Sequence, residues 1–207
     1  MKATITSLIF LLLSLTVSSQ TYKYIGIEEG LSNQKIYKIQ KDARGYMWFL
    51  THVGIDQYNG KEIKHYKLRE GNRELDPLLN INWTFLDKTG TLLVTGKQGR
   101  IFRYDSGHDR FVQIYNMYNY WNKDYHAFVR YSYIDQEDNV WLCGKSAIHL
   151  FNIESGQKQR ISNRLGNITC IEQINSEHFF IGTDKRIYLV KLENGNLKEL
   201  SCGKLGM

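Results

Sequence analysis

Asp87-Lys88-Thr89-Gly90-Thr91-Leu92 is the stretch of this chain that most looks able to do chemistry. It is the signature of a phosphorylated ion pump, in which the Asp carboxylate attacks a phosphoryl group and becomes an aspartyl phosphate. That chemistry needs the Asp at the end of a parallel strand, Mg²⁺, a second Lys, a later Gly-Asp-Gly-type metal loop and a bundle of membrane helices. None of these follows. The other reactive residue types are scattered. His52, His65, His108, His126, His149 and His178 form no H-E-x-x-H, and G-x-S-x-G is absent. Gly96-Lys97-Gln98-Gly99 lacks the Gly-Lys-Ser/Thr ending of a phosphate loop. His149, between Ile148 and Leu150, reads as a structural residue. No C-x-x-C exists, so no zinc or redox site is supported, and no metal or cofactor is expected. Acidic turn residues could pair for glycoside hydrolysis, but nothing in the sequence sets any two of them at the roughly 5–10 Å required.

Binding has a better candidate than catalysis. Tyr115 to His126 is longer and more aromatic than a plain connection. Tyr118, Tyr120, Trp121 and Tyr125 offer flat rings, with Lys123 and Asp124 among them. Rings cover the apolar C–H face of a sugar while polar groups meet its hydroxyls, so these six residues are the expected ligand contacts. In the alternative, Tyr115 and Tyr118 finish a strand or pack between neighbouring sheets.

The elements that must hold such a loop are strands. Ile36–Gln40, Tyr46–Leu50, Ile55–Tyr58 and Ile63–Tyr66 are rich in β-branched and aromatic residues. Asp42-Ala43-Arg44-Gly45 and Asn59-Gly60 separate them, supplying the positive φ that tight hairpins need. This is a four-stranded meander, and one such sheet cannot bury both faces alone. It recurs. Trp48, Leu93, Trp141 and Phe180 are equivalent anchors spaced by about 40–48 residues, the period of propeller blades. Each follows a turn: Asp42 to Gly45, Asp87 to Gly90, Asp135 to Asn139, and a weaker Asn175 to Glu177. The expected fold is therefore all-β, about four four-stranded antiparallel repeats making an incomplete β-propeller. The blades fall at approximately 31–68, 79–115, 128–162 and 166–201, and Tyr22–Ile27 reads as a strand that would complete the last blade of a closed ring. In phase with the other turns, Asp87 to Gly90 is a hairpin turn and not a phosphorylation site.

Residues 1–19 carry one Lys, an apolar run from Leu8 to Leu15, then Thr16-Val17-Ser18-Ser19. Too short to span a bilayer and ending in small residues, this reads as a cleavable secretory signal. About 188 residues remain, enough for a proper core. The net charge of +6 is spread among strand residues such as Lys35, Lys38 and Lys41. Nucleic acid would call for a clustered stripe, so none is expected as a partner. Cys143, Cys170 and Cys202 make an odd count for an oxidising compartment. Cys143 and Cys170 lie in expected strands and read as small buried groups, with a Cys143–Cys170 bridge as the alternative.

Glu28-Glu29-Gly30-Leu31-Ser32-Asn33-Gln34-Lys35-Ile36-Tyr37-Lys38-Ile39, then Asp42 through Trp48 and Gly54-Ile55-Asp56-Gln57-Tyr58-Asn59-Gly60, resembles the opening of the two-component regulator propeller family. These are periplasmic sensor regions of Bacteroidetes hybrid two-component systems. The resemblance is strong in the first repeat and thins later, where Leu93 and Phe180 replace the Trp. It implies a periplasmic, non-enzymatic sensing or interaction module for a polysaccharide fragment. Full members of the family resemble two seven-bladed propellers and a β-sandwich before a membrane helix and a histidine kinase. By that comparison this chain is a truncated frame or a stand-alone remnant. Its kinase and membrane link would lie downstream, and its open arc invites self-association or the remaining blades. The competing reading is a secreted propeller enzyme acting on glycans.

Overall fold

The computed structural model describes residues 22–120 and 128–204, so the expected leader lies outside the described residues. Four antiparallel sheets follow one another along the chain. The first runs β1 (Ile36–Lys41), β2 (Met47–Thr51), β3 (Ile55–Tyr58), β4 (Ile63–Tyr66). A small hairpin, β5 (Arg69–Glu70) and β6 (Arg73–Glu74), and a short helix α1 (Pro77–Asn80) lead to the second sheet. That sheet is β7 (Trp83–Leu86), β8 (Leu92–Thr95), β9 (Arg100–Asp105) and β10 (Arg110–Asn116). The third holds β11 (Tyr131–Ile134), β12 (Asn139–Cys143), β13 (Ala147–Asn152) and β14 (Lys158–Ser162). The last holds β15 (Ile168–Gln173), β16 (His178–Thr183), β17 (Arg186–Glu193) and β18 (Asn196–Lys204). Within each sheet strands pair with their sequence neighbours, as a meander requires.

The first reversal of each blade is set by one side chain. Asp42 Oδ1 accepts the amides of Arg44 and Tyr46 at 3.0 and 2.9 Å. Asp87 Oδ1 does the same for Thr89 and Thr91, and Asp135 Oδ1 for Glu137 and Asn139. Three residues after each Asp the backbone turns left-handed, at Gly45, Gly90 and Asp138 (φ 87°, 74° and 60°). The fourth sheet is built differently. Ile174 stands where the Asp would be, and Asn175 caps the turn one residue later, accepting from Glu177 and His178 at 3.1 and 3.0 Å.

This shared turn fixes the register. Two residues before each turn, Gln40 faces Trp48, Phe85 faces Leu93, Tyr133 faces Trp141 and Glu172 faces Phe180. Successive side chains then point to opposite neighbours. Trp48 and Leu50 pack on Leu92, Val94 and Phe102 of the next sheet. Leu93 and Ile101 meet Val140, Leu142 and Phe151. Trp141 and Cys143 meet Phe179, Ile181 and Val190. The second strands of the second and third sheets are buried on both faces and read as apolar runs. The sheets are also tied by hydrogen bonds from the amide one residue past the turn start. Ala43 donates to the Gly90 carbonyl (3.2 Å), Lys88 to Asp138 Oδ1 (3.0 Å) and Gln136 to Gln173 Oε1 (2.6 Å).

The stack does not close. Trp48, Leu93 and Trp141 are fully buried, yet Phe180, their equivalent, is 46% exposed, because among the described residues no sheet lies on that side. At the other end, residues 22–35 lie against the first sheet. Asp56 is fully buried there, accepting the Ser32 amide and hydroxyl at 2.8 and 2.9 Å, while His65 Nδ1 sits 2.8 Å from its other oxygen. Tyr22–Ile27 forms no strand, contrary to the sequence expectation, because side-chain contacts such as Lys23 to Tyr58 (2.6 Å) hold this segment instead. All three cysteines are free, so the Cys143–Cys170 alternative is not realised. Cys143 is buried, which pushes its thiol pKa up. Cys170 is exposed, against expectation, because it points to the uncovered side.

Candidate ligand-binding site

β10 ends at Tyr115 and Asn116 after a register shift opposite β9. Asn116 Oδ1 accepts the Tyr118 amide at 3.1 Å and starts a 3₁₀ turn, Met117–Asn119. Met117 is buried, and its amide donates to the Gly99 carbonyl at 3.0 Å. These contacts fix the entry to the aromatic connection.

Tyr115 is buried and stacks on Phe151 of the third sheet, with ring centroids 4.8 Å apart. Tyr120 stacks on Tyr115 with its ring plane 1° from parallel, at 5.7 Å. The Lys158 ammonium, from β14, lies 4.5 Å from the Tyr120 ring centroid. Tyr118 is half-buried against the core between the second and third sheets. Of the sequence candidates, Tyr118 thus packs mostly inward, whereas Tyr120 is 52% exposed and presents a ring to solvent. Trp121, Lys123, Asp124 and Tyr125 lie outside the described residues. Lys158 was not foreseen. It sits in the outer strand of the next sheet, and no local pattern links it to Tyr120.

Among the described residues this arrangement places a cation over a half-exposed aromatic ring and brings no acid–base pair together. The turn carboxylates are engaged by their own hairpins. Trp48 Nε1 donates to Asp42 Oδ2 at 2.9 Å and Trp141 Nε1 to Asp135 Oδ2 at 2.8 Å. Where Leu93 replaces the Trp, Arg103 Nη2 lies 2.7 Å from Asp87 Oδ2. Asp87 therefore sits in an antiparallel hairpin with both oxygens occupied, which removes the aspartyl-phosphate reading. His52 pairs with the Tyr37 hydroxyl, His65 with Asp56 and His108 with Asp105, as three separate pairs. Among the described residues no cluster of three His, Cys, Asp or Glu could hold a metal.

The most strongly perturbed carboxylate lies on the rim between the first two sheets. Asp109, at φ 51°, receives the Lys64 ammonium together with the Tyr66 and Tyr104 hydroxyls at 2.6 and 2.7 Å. Lys64 first, then the two phenols, hold its pKa down at about 2. Burial, then the Asp109 bond, pushes the Tyr66 hydroxyl up. Trp48, Tyr66, Tyr104 and Phe111 pack around this group in tilted and edge-on pairs, with ring centroids 4.7–5.7 Å apart.

With that geometry in place, residues 30–52 match the model of the two component regulator propeller family. The matched span covers Asp42, Gly45 and Trp48, the residues that build the first turn and its anchor. Among solved structures, the chain resembles the extracellular domain of BT3049 from B. thetaiotaomicron, described as a hybrid two component system. There it shows a TM-score of 0.63 and 17% identity, covering 86% of this chain and 26% of that one. It also resembles PorZ, a surface component of the type-IX secretion system of Porphyromonas gingivalis (TM-score 0.53, 8% identity, 84% and 21% covered). BamB from Moraxella catarrhalis is similar as well (TM-score 0.53, 14% identity, 82% and 49% covered). At such identities the likeness is one of fold. The chain spans about a quarter of the BT3049 domain. No curated protein matches it in sequence. Among the described residues no helix is long and apolar enough to cross a membrane.

Proposed function

We propose that this chain is a non-catalytic, periplasmic sensing module of the type that forms the input end of a hybrid two-component system, and that it takes a polysaccharide fragment as ligand. The observation that carries the reading is the family match across the first blade's turn and anchor, joined to the fold shared with an extracellular sensor domain. A sugar would use the exposed Tyr120 ring for its C–H face and Lys158 for a hydroxyl, with Trp121, Lys123, Asp124 and Tyr125 completing the contacts and Tyr118 supporting them from beneath. The chain performs the binding step. A signal would arise when the ligand favours one arrangement of the assembled sensor, with further blades or a second copy against the open fourth sheet, and a kinase elsewhere responds.

The test is a glycan array run beside a hydrolysis assay on the exported chain. Binding without product, abolished in the Tyr120→Ala, Trp121→Ala double variant, is the expected result. Product release by the isolated chain would establish the glycan-cleaving alternative instead. Binding that survives the double variant would move the site off the connection.

A further inference from the structure

The Tyr120 ring ends a column of aromatic rings that runs out of the core. Phe151 of β13 and Tyr115 of β10 stack with centroids 4.8 Å apart, and Tyr120 lies parallel to Tyr115 at 5.7 Å. Phe151 and Tyr115 are buried, whereas Tyr120 reaches solvent. Its ring is not bare. The Lys158 ammonium lies over it, 4.5 Å from the centroid. A sugar cannot rest its C–H face where an ammonium already sits, so the ring is partly in use before any ligand arrives.

Register explains how Lys158 comes to stand there. It faces Phe151 across the β13–β14 ladder, and so lies on the face of the third sheet that meets the second. Arg160, opposite His149, lies two residues along on the same face. The Lys158 ammonium donates to the Gly156 carbonyl at 3.0 Å and, among the described residues, pairs with no carboxylate. An ammonium over an exposed ring is weakly held. A charge-assisted hydrogen bond to an anion is about twice as strong as a neutral one. An anionic group beside the ring would therefore draw Lys158 off it, whereas a neutral sugar offers the ammonium no more than the hydroxyls that water already supplies.

We infer that Lys158 sets the specificity of this site: it shields the Tyr120 ring from neutral sugars and yields it to a sugar that carries an anionic group. The ammonium moves from the ring to the ligand's carboxylate or sulfate, and the C–H face of the same sugar takes its place on Tyr120. The inference rests on the proposed ligand site and adds to it the charge of the ligand.

The test sets the native chain beside Lys158→Gln on an array of neutral, uronate-bearing and sulfated oligosaccharides, with affinities then measured by calorimetry. The native chain should prefer charged glycans, with an affinity that falls as salt rises, and the uronate and sulfated arms show which anion it takes. Lys158→Gln should bind those glycans about tenfold more weakly. It should bind neutral glycans about two- to fivefold more tightly. Lys158→Arg, which keeps the charge, should retain the native preference. A lysine that merely props up the connection would weaken both kinds of binding alike, and that result overturns the inference, as does equal binding of charged and neutral glycans by the native chain. Binding of neutral glycans alone, lost in the Tyr120→Ala, Trp121→Ala double variant, removes the role of Lys158 and leaves the proposed function standing, whereas no glycan binding of any kind removes both.

Discussion

Asp42, Asp87 and Asp135 open the same turn and end in different company. Two keep an indole N–H on the second oxygen, and the third receives Arg103, which stands directly across the ladder from Leu93. The spacing of Asp, Gly and the anchor was legible in the sequence. The Arg103 replacement was not, because it depends on which residue faces Leu93 across the sheet. Asp135→Ala removes the oxygen that accepts two turn amides and leaves the buried Trp141 N–H without a partner. It should destabilise the chain by about 2–3 kcal/mol in urea unfolding. Asp87→Ala should cost less, since the Arg103 side chain is 38% exposed and can turn to water. Asp109 makes a pH prediction. Its folded pKa of about 2 lies below the ordinary 3.8, so its contribution is present above about pH 4 and is lost as the pH falls towards 2. The stability gap between the native chain and Asp109→Asn should therefore be constant near neutrality and shrink through that window in acid titrations followed by fluorescence.

Among the elements, the regular strands announced themselves and the connection after the first blade did not. β5 and β6 are two residues each, too short for a periodic signal, and α1 is four. Its cap is visible once known: Asp76 accepts the Leu78 amide at 2.9 Å and Pro77 opens the helix. What seats this connection is Gly96. A Cβ there would lie 2.3 Å from Asn80 Cα and 2.4 Å from the Leu79 carbonyl oxygen, both backbone atoms that cannot swing aside. Gly96→Ala should cost about 1–3 kcal/mol and loosen the hairpin. Trypsin cleavage after Arg69 and Arg73, followed by mass spectrometry, should be faster in the variant. Equal cleavage rates would show that the hairpin is held some other way. The aromatic connection was legible as a candidate because Tyr and Trp cluster there. Its division into an inward Tyr118 and an outward Tyr120 was not, since that depends on where the 3₁₀ turn begins.

The whole molecule is a stack of sheets in one repeated register, open at the fourth. Its repeat could be read from Trp48, Leu93, Trp141 and Phe180. The consequence for Phe180 could not, because exposure there depends on what lies beyond the sheet. Trp141→Ala should cost about 3–5 kcal/mol, and Phe180→Ala well under about 1 kcal/mol. Comparable losses would contradict an open end. The stacking itself is probed most directly by hydrogen exchange at three turn amides, Ala43, Lys88 and Gln136, which donate across to the next sheet. In an isolated hairpin each would face water and exchange quickly. Side-by-side stacking predicts that all three are protected to the level of neighbouring core strands, while Asn175, whose amide stays within its own turn at 3.4 Å, exchanges fast. If Ala43, Lys88 and Gln136 exchange as fast as Asn175, the sheets are not stacked in this way.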